Sequence, residues 1–80
     1  MNDLDQAVSA EVRAAMARKR YTVSDLAKVL EINYKPTRER YSGALPYTLS
    51  ELEVVCAWCG LQVSDLLEAA EASLKHEIAA

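Results

Sequence analysis

Residues 22–43, TVSDLAKVLEINYKPTRERYSG, constrain the chain more than any other stretch. They read as two short helices joined by a tight turn. Val23, Leu26, Ala27 and Leu30 recur at helical spacing. Thr22 stands where a cap for the first helix is needed, with Asp25 in the first turn. Ile32 follows as an apolar plug in the turn. Asn33 is placed to be the N-cap of a second helix, Tyr34 to Ser42. Pro36 is tolerable there only because it lies in the first turn, and Gly43 closes the helix as a C-terminal glycine does. The second helix carries Tyr34, Lys35, Arg38, Glu39 and Arg40. That is a cationic, hydrogen-bonding surface on a helix too short to be stable alone.

The rest of the chain supplies a helical frame. Eighty residues suffice for one domain with a small core. Two glycines, two prolines and 51% apolar residues, with no run of alternating β-branched residues, predict an all-α bundle of five helices. Helix 1 is expected over about residues 5–20, with Val8, Val12, Ala15 and Met16 as its apolar stripe and alanines at 7, 10, 14 and 17 beside it. Residues 44–47, ALPY, read as a loop in which Leu45 and Tyr47 cover the core. Thr48 and Glu51 form a capping box for helix 4, which places Leu49, Leu52, Val55, Cys56 and Cys59 on one face and stops at Gly60. Helix 5 is expected over about residues 64–78, with Leu66, Leu67, Ala70, Leu74 and Ile78 as its apolar members. The string VSDL occurs at Val23 and again at Val63, two helix starts with similar capping needs.

Charge is distributed unevenly. Residues 13–40 hold eight positive and three negative side chains, +5, whereas the remainder holds one positive and nine negative, −8. The total of −3 therefore conceals a basic segment. Such a segment can bind phosphate while the acidic remainder limits non-specific association, and the same pattern also arises from solvated helix faces. Arg18, Lys19 and Arg20 suit the end of helix 1 electrostatically, and the same cations can contact phosphate at the edge of DNA.

Enzyme chemistry finds no foothold. There is no Ser/His/Asp set, no glycine-rich phosphate loop and no plausible acid–base pair. Cys56 and Cys59 form a C-x-x-C at a helix end, without the strand that precedes a redox motif and without a second cysteine pair to complete a zinc site. They are expected to be small buried side chains. No catalytic residue, metal, cofactor or small-molecule ligand is expected. Met1 is followed by no apolar leader, and no apolar run approaches the ~18 residues needed to span a bilayer. The expected compartment is the bacterial cytoplasm, beside the nucleoid.

A helix pair whose second helix is polar and turned outward is the physical description of a helix-turn-helix. The chain resembles the phage repressor and Cro-like helix-turn-helix family, the lambda-repressor-like or Xre class, over about residues 12–70. The resemblance is carried by Thr22, Leu26-Ala27, Ile32-Asn33, Ser42-Gly43, Pro46-Tyr47-Thr48, Glu51-Leu52 and the closing GLQVSDLLEAA. It departs from the family at Glu31, where glycine is usual, and at Thr37 and Arg40, where buried aliphatics are usual. The departures imply a turn of altered shape and a second helix rotated by a fraction of a turn, with Tyr41 taking over the packing.

The resemblance implies a lambda-repressor-like DNA-binding domain that acts by occupying an operator, as a phage or prophage Cro-like or immunity repressor does. Helix 3 then enters the major groove. Tyr34, Lys35, Arg38 and Glu39 meet base edges; Thr22, Asn33, Arg40, Ser42 and Gly43, with Arg18, Lys19 and Arg20, meet phosphates. The partner is double-stranded DNA. The same fold also serves antitoxins and protein-interaction adaptors, which is the alternative reading. The extended apolar stripe of helix 5 leaves two arrangements open, a homodimer contact and a fold-back on helix 1.

Overall fold

The computed structural model describes residues 3–79, and side chains from residue 3 to residue 76. Five helices follow one another: α1 Asp3–Lys19, α2 Val23–Leu30, α3 Tyr34–Ser42, α4 Leu49–Cys59 and α5 Val63–Ala79. No strand occurs among the described residues.

Local chemistry accounts for the boundaries. Thr22 and Thr48 each cap a helix through a reciprocal pair of bonds. Thr22 Oγ1 accepts from Asp25 N while Thr22 N donates to Asp25 Oδ2, and Thr48 and Glu51 repeat the arrangement. Asn33 occupies the N-cap of α3, yet its side chain makes no capping hydrogen bond. Thr37 Oγ1 instead donates back to the Asn33 carbonyl at 2.8 Å. Both VSDL strings open helices as anticipated, α2 at Val23 and α5 at Val63, and the leucine of each, Leu26 and Leu66, is buried.

The left-handed turns correct two expectations. Arg20 is not helical; it sits at φ 60° directly after α1, where the Arg20 N–H donates to Ala17 and the Tyr21 N–H to Met16. Glu31 takes the left-handed conformation that glycine usually supplies, at φ 57° and ψ 39°. The turn therefore has the left-handed geometry that a glycine would allow, reached with a side chain present. The Glu31 N–H bonds the Ala27 carbonyl, which offsets a strain of about 1–2 kcal/mol for a side chain in this region.

One core joins the helices. Val8, Val12, Ala15 and Met16 of α1 meet Leu26, Leu52, Val55, Cys56, Cys59, Leu66, Ala70 and Tyr47. The most extensive helix–helix contact is α1 against α5. Leu66 and Ala70 are buried, and Leu74 is half-buried. Ile78 lies outside the residues whose side chains are described. Two loop-proximal leucines are not where the pattern placed them. Leu49 is 75% exposed because it is the first residue of α4, at the edge of the buried face, and Leu45 is also exposed. Tyr47 alone covers the core from that loop.

Candidate nucleic-acid interface

α3 is the least apolar helix of the fold, and it presents different chemistry at its two ends. At the amino-terminal end Tyr34, Lys35 and Arg38 are exposed, Tyr34 by half its surface. Positions 34 and 38, and 35 and 38, are one helical turn apart, so these three side chains share the outward face. Glu39 lies beside them, half-buried. The inward face consists of Thr37, fully buried, and Tyr41, packed on the core. Tyr41 thus does supply the packing expected of it.

The carboxyl-terminal end is tied down. Arg40 Nε donates to both Glu51 oxygens at 2.9 and 3.0 Å, and Arg40 Nη1 donates to the Pro36 carbonyl at 2.9 Å. The pair is mostly shielded, the side chains being 18% and 16% exposed. Burial alone would raise the Glu51 carboxyl. The Thr48 backbone N–H and the Arg40 guanidinium outweigh that and hold it below its ordinary value. Gly43 is buried at φ 91°; its N–H donates to the Arg40 carbonyl, and its own carbonyl accepts from Gln6 Nε2 at 2.9 Å. Ser42 is exposed, its hydroxyl donating to the Glu39 carbonyl at 3.2 Å. Tyr47 lies buried nearby, its hydroxyl without a hydrogen-bond partner and its phenol pushed above its ordinary range by burial.

The residues named as phosphate contacts fall in three places. Arg18, Lys19, Arg20 and Thr22 are exposed around the α1–α2 junction. That junction adjoins the end of α4: Tyr21 stacks on Trp58 with ring centroids 4.0 Å apart, and Arg18 and Lys19 act electrostatically on Cys59. Arg40, Ser42 and Gly43 lie at the end of α3, against the first half of α1. Since α1 rises about 1.5 Å per residue, Gln6 and Arg18 are about 18 Å apart along it. The two groups are not one cluster. Asn33, exposed, lies at the start of α3.

Three side chains at this site were not singled out from sequence. Gln6, Ser9 and Arg13 of α1 all donate to carbonyls at the end of α3. Their spacing of three and four residues was a readable signal, a polar line along an otherwise alanine-rich helix. The stacked Tyr21–Trp58 pair left no comparable signal. Cys56 and Cys59 are buried free thiols, both raised by burial, and no group of three metal-ligating side chains occurs among the described residues. No described helix is long and apolar enough to cross a membrane.

A family model for the Cro/C1-type HTH DNA-binding domain matches residues 11–71. The chain belongs to that helix-turn-helix family. The match takes in part of α1, all of α2, α3 and α4 and the first half of α5. Two solved structures are similar to the chain, both of the clp gene regulator ClgR from Corynebacterium glutamicum. The first has a TM-score of 0.84 and 28% identity, covering 95% of this chain and 81% of that one. The second has a TM-score of 0.77 and 27% identity, covering 91% and 95%. No curated protein matches the chain. Family and structural neighbours alike are those of a DNA-binding regulator.

Proposed function

We propose that this chain is a sequence-specific, double-stranded-DNA-binding transcription regulator that acts by occupying an operator. The observation that carries the reading is the exposed face of α3, where Tyr34, Lys35 and Arg38 stand together on a helix whose opposite face is packed. Lys35 can donate to guanine O6 and N7, Glu39 can accept from cytosine N4, and Arg38 can reach a guanine or a phosphate. A half-site containing G·C pairs follows. Phosphate contacts from Arg18, Lys19, Arg20, Thr22, Asn33 and Ser42 position the domain without reading sequence. Arg40 and Gly43 support the end of α3 from within. The likeness to a clp gene regulator favours control of transcription. The proposal rests on occupancy of DNA and needs no phage or prophage origin; repression is the effect that occupancy of a promoter produces.

Arg13 and Arg40 are spent inside the fold, which leaves Arg18, Lys19, Arg20, Lys28, Lys35 and Arg38 as the exposed cations of the basic segment. If about four of them neutralise phosphates, log K falls with log salt at a slope of about −3.6. A gel-shift titration against promoter DNA at several salt concentrations measures this. A flat response contradicts the DNA reading and favours the protein-adaptor or antitoxin alternative. Dimerisation is proposed through α5, along the apolar stripe to which Leu67 and Leu74, both half-buried, belong. It would set two recognition helices about 34 Å apart on a palindromic site. Sedimentation showing a monomer both free and on DNA contradicts it.

A further inference from the structure

The polar line on α1 does something that core packing does not require. Gln6 Nε2 donates to Gly43 O at 2.9 Å, Ser9 Oγ to Arg40 O at 3.4 Å and Arg13 Nη1 to Tyr41 O at 2.8 Å. These contacts join residues 28 to 37 positions apart in sequence. A helix end leaves about four carbonyls without intrahelical partners, and water satisfies such groups readily. Donors from a second helix add what water cannot: three points of attachment on one rigid element fix the position and tilt of α3. Gly43 belongs to the same device. A Cβ there would stand 2.8 Å from Gln6 Oε1, so the absence of a side chain is what lets Gln6 lie directly on the backbone.

The other end of α3 packs on α2, and Thr37 bonds back to the Asn33 carbonyl, but no side chain of another helix is hydrogen-bonded to it among the described contacts and Asn33 makes no side-chain capping bond. Nine residues span about 13 Å, so tilting α3 by about 10° at its clamped end would move its free end by about 2 Å. Hydrogen-bonding constellations work only when held within about 0.5 Å. We infer that Gln6 and Ser9 are positioning residues for DNA reading: they set the tilt at which Tyr34, Lys35 and Arg38 meet base edges, although neither lies on α3. This rests on the DNA-reading proposal above.

The test compares affinity for a site selected from random DNA with affinity for random duplex, together with the thermal midpoint. Gln6→Met keeps the length of the side chain and removes the donor, Ser9→Ala removes the buried hydroxyl, and Gln6→Lys restores a donor. The Gln6→Met/Ser9→Ala pair is expected to lose about tenfold on the selected site while random-DNA affinity changes by less than about twofold. Gln6→Lys is expected to keep the wild-type ratio of selected to random affinity, because its added charge raises both. An unchanged ratio in Gln6→Met/Ser9→Ala, accompanied only by a lower midpoint, overturns the inference and leaves DNA reading intact. Should the double variant not fold, the exposed Gln6→Met alone carries the comparison, with the same two outcomes. A wild type that selects no sequence overturns both proposals.

Discussion

The two ends of α3 differ in almost every respect. The first turns expose Tyr34, Lys35 and Arg38, none of which has a side-chain partner that holds it in place among the described contacts. The last turn turns three polar groups inward, Arg40 on Glu51 and Pro36, the Gly43 carbonyl on Gln6 and the Tyr41 carbonyl on Arg13, and leaves Ser42 exposed. One end is left available for a ligand, and the other is committed to the fold. The contrast shows that positive charge on a helix is not by itself a free surface. Lys35 and Arg40 are both cations on the same helix, yet only Lys35 is unencumbered.

Substitution can break this contrast. The largest effect is expected from Lys35→Ala, which should cost about 1–3 kcal/mol on the preferred site, with stability unchanged and little loss on random DNA. Calorimetric unfolding beside a binding titration separates the two quantities. Gly43→Ala should do the reverse and destabilise the fold by about 1–2 kcal/mol, because φ 91° is costly for any side chain; displacing Gln6 adds to that cost. Urea denaturation measures it.

Arg40→Met should cost about 1 kcal/mol, in keeping with a partly shielded ion pair. Its signature is pH dependence. Glu51 is depressed in the folded state, so its contribution is complete above its unfolded value of 4.5 and is lost as pH falls through the lower folded value. Arg40→Met should therefore flatten the acid side of the stability curve, as thermal midpoints taken between pH 3 and pH 6 would reveal. The smallest effect is expected from Tyr47→Phe. Removing a buried hydroxyl without a partner should leave stability equal or raise it by up to about 1 kcal/mol.

The sequence made the local features legible, and the free end of α3 was among them. The Thr48–Glu51 box, the stops at Gly43 and Gly60 and the two VSDL starts are all fixed by residues within one turn of each other. The clamped end was not legible, because its partners are remote. Nothing within one turn of Arg40 announces Glu51, and Gln6 is 37 residues from Gly43. Arg40 reads as a phosphate contact from its own helix alone, and the structure pairs it with Glu51 of the next helix. Glu31 and Arg20 show a related limit. Glycine marks a left-handed turn when it is present, but among the described residues two of the four such turns use a charged residue instead and rely on the helix-end hydrogen bonds.

On the proposed function, bases are read by the exposed first turns of α3. The most direct measurement is the affinity of wild type and Lys35→Ala for every single-base variant of a site selected from random DNA. Lys35→Ala is expected to abolish discrimination at one or two adjacent base pairs, with a guanine preference lost there, and to leave discrimination elsewhere in the half-site intact. Uniform weakening across all variants, or no change at any of them, would contradict the proposal and mean that Lys35 meets only phosphate or no DNA at all.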